Sequence, residues 1–199
     1  MFEIEKKFIL TPEAEKKLLE KAEFLGEKIF EDVYYDTDDY FLTKADKWLR
    51  CREGKFEMKI PLPGNNKVRG NQYEELVTKQ EIKNQLNITD SGDLSEILEK
   101  RRIKPFCRFK TFRRKYKKDG YIIDIDIADY GDFVYSLVEI ESLIEGREKA
   151  DETMESIIRF GKSFGLMDGP VRGKVIQYLK NKKLRHYAAL VACDVVEDF

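Results

Sequence analysis

Histidine is almost absent from this 199-residue chain, which contains a single one, His186. A zinc site with histidine ligands, or a nucleophile–histidine–acid triad, would have to be built on this one residue. His186 follows the lysine-rich stretch 180–185, which is typical of an exposed helix, so we expect its side chain at the surface. Any bound metal ion should therefore have carboxylate ligands, which favour a hard cation such as magnesium or manganese.

Cysteine and long apolar runs are also scarce. The three cysteines, Cys51, Cys107 and Cys193, are an odd number without C-x-x-C spacing, which favours reduced thiols over a disulfide framework or a zinc site. The N-terminus shows no apolar signal segment, and no run approaches the roughly 18 apolar residues of a membrane span. We expect a cytoplasmic protein that has no membrane partner.

The chain also lacks an excess of charge of one sign. Its 37 basic and 38 acidic residues give a formal net charge of −1, so no overall field favours a nucleic acid as partner. Attraction to phosphate must therefore be local. The length favours a single domain over residues 1–199, ending in a solvated helical tail over 180–199, and we expect a monomer.

What the chain has in abundance is charge on one side of apparent strands. In an extended segment Glu3, Glu5 and Lys7 project to one face, because successive side chains alternate, whereas Ile4 and Phe8 occupy the other face. Further segments repeat this alternation with Trp48, Arg50 and Arg52, with Asp124 and Asp126, and with Glu139 and Glu141. A solvated sheet face is the ordinary explanation for one such strand, but it weakens when several strands concentrate acids and bases.

The pattern of turns and periodicity predicts the remaining elements. Thr11 and Pro12 predict the start of a helix that runs to Gly26, and Gly54 and Asp119-Gly120 predict tight hairpin turns. Strands are expected at 28–36, 47–52, 55–61, 72–78, 106–117, 121–129 and 133–142, and helices at 79–87, 93–100, 148–164 and from 174 onward.

With the first strand, this makes eight antiparallel strands that have one polar face. We expect an α+β fold in which an eight-stranded antiparallel β-barrel is flanked by helices, because closure removes the sheet edges. The interior would be charged. Such charges must neutralise one another, bind metal or receive a charged ligand, since isolated buried ions are costly.

An ordered series of motifs carries a family resemblance. Glu3-x-Glu5-x-Lys7 resembles the signature of the CYTH superfamily, the triphosphate tunnel enzymes, and two further segments, 34–37 and 45–52, resemble its thiamine triphosphatase branch. The match continues through 56–59, 73–76, Arg113-x-x-Tyr116, 124–131, 138–141 and 173–179, and so covers roughly residues 1–179.

The resemblance implies site residues by position. Those expected to hold phosphate are Lys7, Arg50, Arg52, Lys59, Arg113 and Lys174. Those expected to hold metal are Glu3, Glu5, Asp124, Glu139 and Glu141, with Glu75 and Asp126 around them. Trp48 is expected to stack on the organic group of the substrate. From phosphoryl-transfer chemistry we expect the metal or a carboxylate such as Glu5 or Glu141 to activate the attacking water, and Lys59 with Tyr34 or Tyr73 to assist proton transfer.

The resemblance also implies an activity. We expect a hydrolase of phosphoric anhydrides that uses Mg²⁺, or Mn²⁺, to cleave the terminal phosphate of a small-molecule triphosphate, thiamine triphosphate above others. Two alternatives stay open: an inorganic tripolyphosphatase, which would share every phosphate and metal residue, and a noncatalytic polyphosphate-binding module.

Overall fold

The computed structural model describes residues 2–61, 73–167 and 169–199, apart from the side chains of Phe2, Glu3 and Arg147. In these ranges eight strands form one antiparallel sheet in the order β1-β8-β7-β6-β2-β3-β4-β5. The strands are β1 (Phe2–Phe8), β2 (Glu23–Asp36), β3 (Trp48–Arg52), β4 (Lys55–Pro61), β5 (Tyr73–Leu76), β6 (Lys104–Lys118), β7 (Tyr121–Asp129) and β8 (Val134–Ile144). The helices are α1 (Pro12–Leu19), α2 (Lys79–Gln85), α3 (Leu94–Lys100), α4 (Ala150–Ser163), α5 (Lys174–Lys182) and α6 (Leu184–Ala192). The predicted fold class, α+β with eight antiparallel strands and flanking helices, is confirmed.

Two hairpin turns lie where the sequence predicts them. Glu53 and Gly54 have φ values of 49° and 80°, and Asp119 and Gly120 have 49° and 86°. Two consecutive positive φ angles are the mark of the type I′ turn, whose twist matches that of the strands it joins. The β3–β4 and β6–β7 hairpins are therefore fixed locally.

The first helix is shorter than its apolar spacing predicts. It begins at Pro12, where the Thr11 side chain accepts a hydrogen bond from the Ala14 amide, but it ends at Leu19 and not near Gly26. Lys21 takes a left-handed φ of 59°, and the chain enters β2 at Glu23. The predicted extension was wrong because the following residues pair as a strand, where Phe24 packs on Tyr116.

The contacts of the chain divide it into two compact units interleaved along the sequence, and β2 and β6 run from one unit to the other. The described residues of the first unit come from 2–29 and 110–174, and those of the second from 30–61, 73–109 and 175–199. The single domain over 1–199 stays a prediction.

Each unit has its own apolar core. In the first, α4 packs on β1 and β8, and the buried residues include Ile4, Phe8, Ile123, Ile140 and Ile157. In the second, the core includes Leu49 and Met58 of the β3–β4 hairpin together with Leu42, Ile82, Leu94 and Leu98. The apolar side chains that alternate with the charged ones thus anchor the strands, and this anchoring holds the charged faces in place.

The C-terminal helices carry buried side chains. In α6, His186 is 2% exposed, and Tyr187 and Leu190 are also buried. The prediction of an exposed His186 was wrong, because α6 contacts the 3-10 turn Thr43–Ala45 and its histidine packs there. Among the helices of the described residues, none combines the length and the apolar character needed to cross a membrane.

Candidate active site

The first unit carries an ionic cluster on one face of β1, β8, β7 and β6. In the antiparallel ladders Lys7 lies opposite Glu139, Glu139 opposite Asp124, and Asp124 opposite Lys115. Directly opposed residues share a face. Lys174, at the start of α5, joins them through Asp126. We call the set Glu5, Lys7, Arg113, Lys115, Asp124, Asp126, Glu139, Glu141 and Lys174 the carboxylate cluster. Alternation along four strands therefore brings the predicted charges of this unit together.

Three members of the carboxylate cluster could hold a metal ion. The carboxylates of Glu5, Glu139 and Glu141 each offer an oxygen atom, and these atoms lie within 4.8 Å of one another. An all-oxygen, anionic donor set suits a hard divalent cation such as Mg²⁺. The residues present therefore fit the cation that the sequence leads us to expect.

The other two predicted metal ligands are Asp124, which lies opposite Glu139 in the β7–β8 ladder, and Glu3. The carboxylate of Asp124, which is fully buried, pairs with Arg113 and lies 3.1 Å from Lys115 Nζ. Burial raises the pKa of Asp124, although Arg113 and Lys115 oppose the shift. Glu3 pairs with Leu143 in the backbone register of β1 and β8, but its side chain lies outside the described residues.

The cations of the carboxylate cluster are held by its acids. Arg113 donates from Nε to Asp126 Oδ1 at 2.7 Å and from Nη2 to Glu139 Oε2 at 2.8 Å. Burial alone would lower the pKa of Arg113, but the carboxylates of Asp126, Glu139 and Asp124 raise it overall. Lys174 contacts Asp126, and its Nζ lies 3.6 Å from Glu139 Oε1. The Arg113 guanidinium thus stays charged at any physiological pH.

The second unit carries the predicted arginines of β3. Arg52 makes a two-pronged ion pair with Asp32, with distances of 2.7 and 2.9 Å, and its guanidinium lies over the Phe30 ring. Arg50 donates to Glu57 at 2.7 Å and to Glu75 at 2.9 Å. Paired arginine–carboxylate forks of this kind hold the donors in fixed directions.

Tyr34, Lys59 and Trp48 belong to the same unit. Tyr34 lies opposite Arg50 in the β2–β3 ladder and stacks on Phe109 at 6.0 Å. Burial raises the pKa of Tyr34, while Arg50 and Lys59 oppose the shift. Trp48 lies opposite Lys59 and is only 8% exposed. The predicted aromatic for the organic group is thus largely covered by protein.

Several residues that sequence reasoning missed contact the predicted ones. Asp32 and Glu57 hold the β3 arginines, and Asp46 accepts hydrogen bonds from Trp48 and Tyr73. The strand register that pairs Asp32 with Arg52 is not written in local sequence. Lys115 could have been found, because it shares the parity of Arg113 along β6.

Comparison with known proteins places these observations in a family. The model of the CYTH domain matches residues 1–169. Thiamine-triphosphatase of Homo sapiens is 28% identical over 209 residues, covering 96% of this chain and 90% of that protein, and the Macaca fascicularis protein of the same name is 27% identical over the same shares. The solved structure of PH1819 protein from Pyrococcus horikoshii OT3 has a TM-score of 0.68 at 21% identity, covering 90% of this chain and 99% of that one, and so shares the fold. With most of its length matched by the family model, this chain belongs to the CYTH domain family.

Proposed function

We propose that this protein is a metal-dependent triphosphatase that releases the terminal phosphate of a small-molecule triphosphate, with thiamine triphosphate as the preferred substrate. The observation that carries the proposal is the trio Glu5, Glu139 and Glu141, which lies within the carboxylate cluster beside Lys7 and Arg113. Metal-binding oxygens next to phosphate-binding cations are what phosphoryl transfer requires. The similarity to thiamine-triphosphatases over most of the chain supports the reaction.

The roles of the charged residues follow from phosphoryl-transfer chemistry, in which positioning and charge stabilisation dominate. A bound divalent cation would neutralise charge on the phosphate oxygens. Glu5, Glu139 and Glu141 would hold it. In the first unit Lys7, Arg113 and Lys174 would bind phosphate oxygens, and in the second Arg50, Arg52 and Lys59 have the same assignment from the family resemblance.

The remaining assignments concern proton transfer and support. Glu5 is proposed to orient the attacking water in line with the terminal phosphorus, and Lys59 to assist proton transfer with Tyr34 or Tyr73. Asp124 is proposed as a further carboxylate near the metal, together with Glu3. Asp126 and Glu75 hold cations, since Asp126 pairs with Arg113 and Lys174, and Glu75 pairs with Arg50.

The second candidate is an inorganic tripolyphosphatase. One observation favours it: Trp48 is 8% exposed, so only a small part of the indole is available to an organic group. The assignment of phosphate and metal residues is the same for both substrates. The two substrates differ only in the organic group, which tripolyphosphate lacks.

The test compares phosphate release from thiamine triphosphate, tripolyphosphate and ATP, with Mg²⁺ and with EDTA. We expect release that requires the metal and is fastest with thiamine triphosphate. Glu139→Gln should reduce it at least about a hundredfold, because one ligand and one buried charge are lost. Glu145→Gln, at an exposed position just beyond β8, is the matched control.

Each alternative has its own outcome. Faster turnover of tripolyphosphate would select the second candidate. Saturable binding without phosphate release from any compound would overturn hydrolysis and leave a polyphosphate-binding module.

A further inference from the structure

One carboxylate oxygen joins two aromatic side chains of the second unit. Asp46 Oδ1 accepts a hydrogen bond from Trp48 Nε1 at 2.9 Å and another from the Tyr73 hydroxyl at 2.8 Å. Asp46 and Trp48 are both buried, at 6% and 8% exposure. Burying a carboxylate is unfavourable unless donors satisfy it, and these two donors belong to different strands.

The backbone around Asp46 sets the direction of its side chain. Asp46 follows the 3-10 turn Thr43–Ala45 in a left-handed conformation, with φ of 57°. Its amide donates to the Thr43 carbonyl at 2.9 Å. Thr43 is itself fixed, because its amide and hydroxyl both donate to Asp36 Oδ2. Aspartate tolerates a left-handed φ better than most residues, so the turn holds the carboxylate in place before any ligand binds.

Both aromatic side chains lie on one face of the β3–β4–β5 ladder. Trp48 is opposite Lys59, and Lys59 is opposite Glu75. Tyr73 is two residues before Glu75 on β5 and therefore shares its face. Asp46 thus ties the two outer strands of this ladder on the face that carries Lys59.

We propose that Asp46 is a positioning residue for the organic-group end of the substrate site: by holding the Trp48 indole and the Tyr73 phenol in fixed orientations, it sets which triphosphates the protein prefers. The inference rests on the proposed function. An edge-on hydrogen bond from the indole N–H leaves the ring face to contact an aromatic or cationic ring. The hydroxyl proton of Tyr73 is directed at Asp46, which makes Tyr73 part of the same support.

The removal variant is Asp46→Gly, because glycine accepts the left-handed φ without strain. We expect its KM for thiamine triphosphate to rise roughly tenfold, since two hydrogen bonds to a charged acceptor are lost. KM for tripolyphosphate should stay within about twofold of the wild-type value, and any change in kcat that arises through Tyr73 should be the same for both compounds. Asp46→Asn keeps an acceptor oxygen at the same place but without its charge, so the ratio of KM for thiamine triphosphate to KM for tripolyphosphate should rise only about twofold to threefold.

A second readout needs no activity. Trp48 is the only tryptophan of the chain, so its fluorescence reports on this position alone. In Asp46→Gly we expect the emission to shift to the red and acrylamide quenching to increase. Asp38→Gly removes a side chain that is 85% exposed. It should change neither the fluorescence nor the ratio of KM for thiamine triphosphate to KM for tripolyphosphate.

The outcomes separate this inference from the proposed function. Equal rises in KM for both compounds, or wild-type KM values and unchanged fluorescence in Asp46→Gly, would overturn the positioning role even in an active enzyme. If the wild-type protein hydrolyses nothing, the proposed function fails, and unchanged Trp48 fluorescence in Asp46→Gly would overturn the support of Trp48 independently. If Asp46→Gly does not fold, Asp46→Asn decides: a KM ratio raised about twofold or more supports the role, and a wild-type ratio overturns it.

Discussion

Among the predicted phosphate-binding residues, Lys59 differs from the arginines by its surroundings. Arg50, Arg52 and Arg113 are each held by at least one carboxylate. In the described part of the chain, by contrast, Lys59 has no hydrogen bond or ion pair through its side chain, although its charge acts on Tyr34. A half-buried ammonium in such a position is available to a ligand.

We expect Lys59→Ala to lower kcat for phosphate release about a hundredfold or more, because one fixed cation that stabilises the developing charge is removed. Steady-state kinetics would measure this. Lys55→Ala is the control, since Lys55 is an exposed lysine of the same strand. Turnover equal to wild type in Lys59→Ala would remove Lys59 from the catalytic set.

Parity arguments predicted which charges share a face, but they could not predict the pairing between strands. The alternation of Arg50 and Arg52 is local, and so is the pairing of Arg50 with Glu57 across the β3–β4 hairpin, whereas the partners Asp32 and Glu75 depend on the register of β2 and β5. A tight turn sets the register of a hairpin, but the register of strands that no tight turn joins depends on which faces pack into the core. For the same reason the local sequence did not indicate that Asp46 would accept hydrogen bonds from both Trp48 and Tyr73.

At the scale of elements, α4 lies so close to β1 that one position favours glycine. A Cβ at Gly161 would stand 2.8 Å from Cζ of Phe8, and Phe8 is completely buried. The apolar stripe of α4 was predictable from its period, as were the two hairpins from their turn residues. The closeness of the helix to the strand was not, because it depends on tertiary packing.

Gly161→Ala should therefore destabilise the protein by roughly 1 kcal/mol. Overpacking of a full core costs about 1–3 kcal/mol, and the better helix propensity of alanine returns at most about 1 kcal/mol. Urea unfolding would measure the change. Lys162→Ala, at the exposed neighbouring position, should stay near the wild-type value, and an equally stable Gly161→Ala would show that the Phe8 ring moves aside easily.

At the scale of the whole molecule, the one histidine links folding to pH. Its Nε2 lies 2.7 Å from the Thr43 hydroxyl, which donates to Asp36, and its ring stacks on Tyr40 at 3.9 Å. Because Thr43 gives its proton to Asp36, His186 donates to Thr43. Burial lowers the pKa of His186 to about 4, with Lys183 acting in the same direction and Asp36 opposing.

The sign of the effect follows from the direction of that shift. In the unfolded chain His186 binds a proton near pH 6.5, whereas in the folded chain it stays neutral until about pH 4. The stability from neutral His186 is thus complete above pH 6.5 and is lost as the pH falls toward 4, by no more than about 3 kcal/mol. We expect His186→Gln to lose less stability than the wild type between pH 7 and pH 4.5, measured by urea unfolding at both pH values. Identical losses in the two proteins would contradict this linkage.

The scarcity of histidine and of long apolar runs predicted less of the structure than the alternating charges did. Composition led us to expect His186 at the surface, because its neighbours are lysines, yet Phe106 and Tyr40 enclose the imidazole. Eight strands were predictable from alternation and turn residues, although residues 23–26 at the start of β2 were assigned to a helix. How distant segments meet, as Thr43 meets His186, depends on the complete fold.

The ion pairs of the carboxylate cluster make its acids and bases counterions of one another. A divalent cation that binds Glu5 and Glu139 must compete with Lys7, which contacts both carboxylates, and a polyanion that binds Arg113 must compete with Glu139. Each ligand therefore releases the partner that the other ligand needs. Binding of the cation and binding of the polyanion are thermodynamically linked, so each should strengthen the other by the same factor.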